Sequence, residues 1–553
     1  MKQTAYAIAI LCLAGVLAGC LAAPAPVTAP PKSEVPVKSE QAQVRVLARG
    51  APIHGANGIG FDAQNRLYIA SINGGEIVVM DPETGKIIER IGAERGVDTP
   101  DDLAFGPDGS LYWTSLYGGQ IGRLSPDGKM STAAQLPPGA NPITFSDDGR
   151  LFVALDFLGD ALYEVDPAGK KEPRLIAKDL GFLNGMDWGQ DGRLYGPIWT
   201  KGQVVKVNVD TGEIKVVAEG LVVPSAVKFD AQGRLHVLDF ATGKVARINL
   251  QTGGREELAQ LAPSLDNLAF DAKGRLFISN AEQGSVIELL SDGKSRPVSP
   301  AGMIAPGGVA VVKDAGGQES VFVVDSMTLC QFDAQAGASP QPGKTIARFM
   351  PPNFTVAPFG DKLVMSSYMG NLVQIVDPAT GKIVHTDPSF KTPLNAIQFG
   401  GDLVVAELGT NRIVRQTSAG PVSLAEGIAV PTGLAASGRN LWAADWASGA
   451  VFQIVKDDVA LKPAVQVATG LKNPEGLAVA ADGGLLVVEA GAGRLSHIDL
   501  TTGKVKTVAD GLEIGLPLPH MPPTAFFNGV AVGASGDIYV TGDKGSVLYH
   551  IKP

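Results

Sequence analysis

One pattern constrains this 553-residue chain more than any other: a short apolar strand signature, entered from a tight turn, occurs twelve times. The copies start at Asn65 (followed by RLYIAS), Gly109 (SLYWTS), Gly149 (RLFVAL), Gly192 (RLYGPI), Gly233 (RLHVLD) and Gly274 (RLFISN). They continue at Glu319 (SVFVVD), Asp361 (KLVMSS), Gly401 (DLVVAE), Arg439 (NLWAAD), Gly483 (GLLVVE) and Gly536 (DIYVTG). From Leu67 to Ile538 the mean step is about 43 residues, the period of a propeller blade made of one four-stranded antiparallel sheet. A small apolar strand such as Leu103-Ala104-Phe105 precedes each signature, and strands such as Glu76–Met80 and Ile214–Glu219 follow it. The turns between them are rich in Asp, Gly, Pro and Thr, which supply the backbone angles that hairpins need.

Twelve blades divide most simply into two rings of six. The strand-like Val44–Gly50 precedes the first innermost strand, so it is expected to complete the sixth blade beside Ser285–Leu289. Arg296–Ser299 would then complete the twelfth blade, whose chain stops after its third strand. Each ring would be closed by an offset N-terminal outer strand, leaving no raw sheet edge. The reading is all-β, with propellers at 44–293 and 294–553.

The N-terminus reads as targeting. Lys2 precedes an uncharged apolar run, Ala5–Val16, too short and wrongly flanked for a spanning helix. Leu17-Ala18-Gly19-Cys20 resembles the lipobox of bacterial lipoproteins, which implies cleavage after Gly19 and acylation of Cys20. Residues 1–19 are then a signal peptide. Residues 20–43 are a lipidated, Pro- and Ala-rich tether with too little apolar surface to fold. Leu21 follows the cysteine, so the aspartate of an inner-membrane retention signal is absent; in a diderm cell the outer membrane, facing the periplasm, is the expected address. More than one acyl chain is what stable anchoring to a membrane needs.

The 46 Lys and Arg are outnumbered by 56 Asp and Glu, which makes nucleic acid a poor partner. Cys330 is left without an intramolecular disulfide partner once Cys20 is lipidated, and reads as a small buried hydrophobe. There is no G-x-S-x-G, H-E-x-x-H, Walker or CxxC motif, and no organic cofactor is indicated. His236 falls mid-strand and is expected to be packed.

The repeat resembles the six-bladed superfamily of NHL-repeat proteins, streptogramin lyases, strictosidine synthase-like proteins and senescence marker protein/gluconolactonase, here duplicated. Leu183-Asn184-Gly185-Met186-Asp187-Trp188 resembles the N-G-L-D-W string of the gluconolactonase branch, whose asparagine is a metal ligand. Pro474-Glu475-Gly476-Leu477 is similar to the blade start of the lyases and NHL proteins. In such rings the start of each innermost strand faces the channel. Those positions are Asn57, Asp101, Asn141, Asn184, Ser225 and Asp266, all polar. Oxygen ligands converging on an axis suit a hard cation, so Asn57, Asp101, Asn141, Asn184 and Asp266 are candidate ligands for Ca2+, or for Zn2+ or Mg2+. The resemblance requires Glu in the first blade and Asp in the fifth, where this chain has Asn57 and Ser225; Asp101 and Asp266 would have to replace them as charged ligands or as catalytic acids. The competing reading is that Asn and Asp at strand starts satisfy turn backbone.

The second ring offers Gly307, Thr355, Asn395, Thr432, Glu475 and Asn528 at the same place, with His520 in a long Pro-rich loop near a channel mouth. His54 and His520 fall in different rings by this division. Acids at the ends of second strands, Asp325, Glu407, Asp445, Glu489 and Asp543, read as turn caps. Two functions compete. One is a membrane-tethered envelope platform binding a small molecule or envelope protein at a channel mouth, with a weak cation site in the first channel. The other is a metal-dependent, lactonase-like hydrolase in which the metal lowers the pKa of bound water; a streptogramin-lyase-like elimination ranks below both.

Overall fold

The chain's structure is a computed structural model that describes residues 42–553 apart from 314–315, 335–342, 349, 519 and 522–523. The signal peptide, Cys20 and the tether up to residue 41 lie outside the described residues. The described chain folds into twelve four-stranded antiparallel sheets, which make two six-bladed β-propellers. Blades are numbered here in chain order. Blade 1 comprises Ala56–Phe61, Leu67–Ser71, Glu76–Met80 and Ile87–Ile91, each hydrogen-bonded to the next.

Burial explains the strand order. The second strands, such as Leu67–Ser71 and Leu151–Leu155, are buried at every residue, because each blade is covered on both faces by its neighbours. The fourth strand, such as Ile214–Glu219, is largely exposed and reads as mixed sequence. The turn from first to second strand needs a left-handed residue: Gly149 holds φ 86°, and Asn65 takes that place in blade 1 at φ 60°. Asp62 caps the same turn, its Oδ1 accepting the Gln64 and Arg66 amides at 3.0 and 2.8 Å.

The first ring is closed by six aromatic pairs with ring centroids 5.0–5.5 Å apart. Each joins the second strand of one blade to the first strand of the next: Tyr68–Phe105, Tyr112–Phe145, Phe152–Trp188, Tyr195–Phe229, His236–Phe270 and, returning to the start, Phe277–Phe61. His236 is therefore a packing residue, as its place in the strand implied. Arg66, Arg123, Arg150, Lys206 and Arg275 lie over five of the second-strand rings. Ser279 Oγ donates to Asn57 O at 2.6 Å, joining blade 6 to blade 1. The second ring closes through hydrogen bonds and close backbone approach, Tyr539 Oη also donating to Ala334 O at 3.3 Å. Thr541 Oγ1 donates to Gly307 O, and a Cβ on Gly529 would lie 2.7 Å from Val309 N. Cys330 is buried, its thiol pushed up to about 12 by burial.

The expected closure is corrected. Gln43–Arg49 pairs with Val547–Lys552 and completes blade 12, not blade 6. Blade 6 is finished by its own Ser295–Ser299, which pairs with Ser285–Leu289 across a short turn where Leu290 N donates to Lys294 O. A local hairpin closes a far shorter loop than a strand recruited from the N-terminus. Blade 12 instead takes the N-terminal strand as its outer edge. The first ring has no offset. The boundary consequently falls between Ala305 and Pro306, not at 293/294. One compact unit holds Gly50–Ala305 with Leu516–Pro522; the other holds Pro306–Gly515, Pro523–Pro553 and the strand Gln43–Arg49.

Candidate functional site

The ladder between first and second strands slips at the same place in five of the six blades of the first ring. The shifts fall between Ala56 and Ile59, Pro100 and Leu103, Ala140 and Ile143, Pro224 and Ala226, and Leu265 and Leu268. Such a bulge re-aims the side chains it contains, and bulges gather next to functional sites. The residues inside these slips include Asn57, Asp101, Asn141, Ser225 and Asp266. In blade 4 the equivalent Asn184 lies just before the strand Asp187–Gly189.

The next residue in each blade locks the ring. A Cβ on Gly58 would sit 2.2 Å from Asp102 Oδ1, and one on Gly185 would sit 2.3 Å from Ala226 Cβ. Asn267 Nδ2 donates to Asp102 Oδ1 at 3.0 Å, while the Leu103 and Ile143 amides donate to the two carboxylate oxygens at 2.8 and 3.2 Å. Asp102 thus ties blades 6, 2 and 3 together. Burial lifts its pKa to about 6 against the opposing pull of Lys228.

The channel-facing layer is different, because its polar groups are unused. Asp101 and Asn141 are each 5 % exposed, and among the described residues neither side chain makes a hydrogen bond or ion pair. Half-buried Asp266 also lacks such a partner. Asn57 reaches only its own Gly55 O, at 3.5 Å. Asn184 is the exception: its Oδ1 accepts the Gly185 amide at 2.8 Å, as a strand-start cap does. Ser225 Oγ donates to Leu265 O at 2.7 Å. Burial, and then Asp266, Asp102 and Asp156, hold Asp101 well above the usual carboxylate range. Burial and then Asp102 push Asp266 up to about 7. Burial thus disfavours the charged form of both acids, and the charge of Asp266 adds to the rise at Asp101.

Sequence reasoning missed Asp156, Tyr117, Trp199, Phe157 and Phe182. Asp156 follows the second strand of blade 3, Leu151–Leu155, and is fully buried; its Oδ1 accepts Trp199 Nε1 at 3.1 Å and the Phe157 amide at 2.7 Å. Its Oδ2 is buried without a partner. Burial holds this carboxyl well above its usual range, and Asp160 and Asp266 add to the rise. The half-buried rings of Phe157 and Phe182 flank Trp199 at 5.0 and 6.1 Å. Tyr117 is raised chiefly by burial and also by Asp101. The pattern of an acid at the second-strand end was visible for Asp156, but its indole partner was not.

Among the described residues no group of three or more His, Cys, Asp or Glu stands at metal-holding spacing. What the channel offers is two carboxylates with the amide oxygens of Asn57 and Asn141. That donor set fits a hard cation held weakly, since calcium affinity rises with ligand charge.

In the second ring the innermost strands surround a channel of about 340 Å³, lined by groups such as Val309, Ile397, Leu477 and Phe527 with Thr355 and Asn395. Glu475 and Asn528 are spoken for: Glu475 Oε2 accepts both the Asn528 amide N–H and its side-chain Nδ2, each at 2.7 Å. Burial and Asp543 push Glu475 up to about 8. The second-strand acids behave as turn caps, as with Asp445, which accepts the Val430 amide at 2.9 Å, and Glu489, which accepts the Lys472 amide at 2.8 Å. His520 does not join this set. It belongs with Leu516–Pro522 in the first unit, where its Nε2 lies 3.1 Å from Asp98 Oδ2. His54 is buried in that unit, held neutral by burial at a pKa of about 4.

Solved structures share the propeller architecture at low identity. A streptogramin B lyase structure matches at 16% identity over 51% of this chain and 94% of its own, with a TM-score of 0.38. The extracellular domain of the BT4673 one-component system from B. thetaiotaomicron matches at 11% over 93% of this chain and 82% of its own, with a TM-score of 0.32. A luciferin-regenerating enzyme matches at 15% over 44% of this chain and 88% of its own, with a TM-score of 0.36. No protein-family model and no curated protein matches the chain. The architecture stands on the twelve sheets themselves, and these likenesses carry no activity across to this chain.

Proposed function

We propose that this chain is an envelope lipoprotein, acylated at Cys20 and held off the outer membrane by its tether, whose first propeller is a cation-binding recognition module. The observation that carries the reading is the layer of unsatisfied polar groups in the first channel. Asp101 and Asn141 are almost fully buried yet unpartnered, beside Asp266, in a ring whose neighbouring layer is fully satisfied. The polar atoms of these residues are not sealed from solvent, so the layer offers free carboxylate and amide oxygens to a partner supplied from outside. A divalent cation such as Ca2+ bound here would rest on Asp101 and Asp266, with Asn57 and Asn141 contributing amide oxygens and water completing the shell. The binding is weak and exchangeable.

The test is the melting temperature of the purified full chain with and without millimolar calcium. A ligand that binds only the folded state stabilises it by mass action. Calcium is expected to raise the first ring's transition in the native chain, and Asp101→Asn with Asp266→Asn is expected to abolish the rise. A double variant that still responds fully removes this site from the reading.

A second reading, a metal-dependent lactonase-like hydrolase, is favoured by one observation: Asp266 sits near a pKa of about 7, suited to a general base at neutral pH. Turnover of a lactone panel, lost in Asp266→Asn, would select it. A streptogramin-lyase-like elimination has no residue in this site that favours it.

A further inference from the structure

We infer that the ligand of the first channel is an organic ammonium ion, seated between the unpartnered acids and an aromatic corner formed by Trp199, Phe157 and Phe182. This rests on the proposed cation-binding role of that channel and names the chemistry of its ligand.

Two features point past a bare metal. The first is the supply of carboxylates without donors. Asp101 makes no hydrogen bond, and Asp156 leaves its Oδ2 buried and unpartnered, although Asp156 is 0 % exposed. Ala140 pairs with Leu155, so Asp156 stands at the same end of blade 3 as Asn141, the end at which Asp101 and Asp266 begin the innermost strands of their blades. Yet among the described residues the three acids do not close to metal-ligating spacing. A larger cation with diffuse charge suits acids that stand apart.

The second feature is aromatic. Asp156 Oδ1 holds the Trp199 indole N–H and the Phe157 amide. Asp160 holds the turn that carries Phe182, its two oxygens accepting the Gly181 and Phe182 amides at 2.7 and 3.2 Å. The two acids of blade 3 therefore position three rings. Phe157 and Phe182 meet Trp199 at interplanar angles of 66° and 48°, so the rings make walls and do not stack into a closed pile. Both phenylalanines sit at positive φ, 60° and 66°, a conformation bulky residues rarely adopt. Rings presented around carboxylates recognise ammonium groups, because the ring faces carry negative charge density. Pro100 pairs with Ser115, so Tyr117 stands at the same end of blade 2 as Asp101.

The experiment uses the full chain and defined probes: choline, its neutral isostere 3,3-dimethylbutan-1-ol, phosphocholine and calcium chloride, each titrated by calorimetry. Choline is expected to bind at least about tenfold more tightly than the neutral isostere, the size of a desolvated cation–π and charge contribution. Phosphocholine, whose phosphate meets the same acids, binds more weakly than choline. Phe157→Leu with Phe182→Leu weakens choline about tenfold and leaves the calcium response intact. If choline binds no better than its isostere while calcium binds through Asp101 and Asp266, the ammonium assignment is overturned and the cation-binding reading stands. If Asp101→Asn with Asp266→Asn alters the response to no probe, both fall.

Discussion

At the scale of single residues, unused chemistry separates a site from a scaffold. Asp102 and Asp101 are neighbours in sequence and both buried, but Asp102 accepts three hydrogen bonds and Asp101 accepts none. The twelvefold repeat made the channel-facing positions legible, because it aligned Asn57, Asp101, Asn141 and Asp266. It could not separate them from Asn184, whose oxygen turns back to the Gly185 amide, since that depends on local backbone. Nor could it reveal Trp199 beside Asp156, 43 positions away. Glu475 supplies a test of how burial acts in the second ring. Its pKa is raised from 4.5 to about 8 by desolvation and by Asp543, so the folded state holds the proton more tightly than the unfolded state. The stability this gives is complete below the ordinary carboxylate range and is lost as pH rises towards 8. Glu475→Gln keeps an oxygen to accept both Asn528 donors and removes the ionisation. It is expected to raise the second ring's melting temperature by roughly 2–6 °C at pH 8 and by little at pH 5. An equal gain at both pH values would show that ionisation of Glu475 is not the cause.

At the scale of elements, the second position of each first-ring signature had a role that the sequence showed only as a preference for aromatics. Tyr68, Tyr112, Phe152, Tyr195, His236 and Phe277 each reach the next blade, and the last of them meets Phe61. Knowing the partner requires knowing which blade follows the sixth. Phe277 is fully buried, pairs with Phe61 at 5.0 Å and carries Arg275 over its face. Phe277→Ala removes the closing contact and leaves a cavity at the seam, a change that costs about 3–5 kcal/mol. The first ring's melting temperature is expected to fall by roughly 6–20 °C while the second ring's is unchanged. His236→Phe keeps a ring against Phe270 and should be tolerated. It also removes an imidazole whose pKa is lowered by burial, so the stability lost as pH falls below the ordinary histidine range is recovered. Scanning calorimetry at two pH values reads both effects.

At the scale of the whole molecule, the number of blades was legible and the manner of closure was not. Both candidate outer strands, Gln43–Arg49 and Ser295–Ser299, have sequences compatible with either edge; chain connectivity decides between them. Ser295–Ser299 is one turn from the strand it pairs with, whereas the outer strand of blade 12 is Gln43–Arg49, drawn from the other end of the described chain. The consequence can be tested with fragments. Residues 50–305 contain all six blades of the first ring and should unfold in one cooperative transition. Residues 306–553 lack the strand that covers Val547–Lys552, so this fragment exposes a raw edge and should melt lower and aggregate more readily than the second ring does in the full chain. The register offers a repair. Gln43 pairs with Lys552 and Arg49 with Val547, antiparallel, so the end of one strand lies beside the start of the other. Appending residues 43–49 after Pro553 through a short turn of Asn and Gly converts a distant pairing into a hairpin. The repaired fragment should regain the melting temperature that the second ring has in the full chain and lose the tendency to aggregate. Appending residues 294–299 in their place should not, because their sheet is blade 6. If the 294–299 version restores the ring and the 43–49 version does not, the closure seen in the structure is wrong.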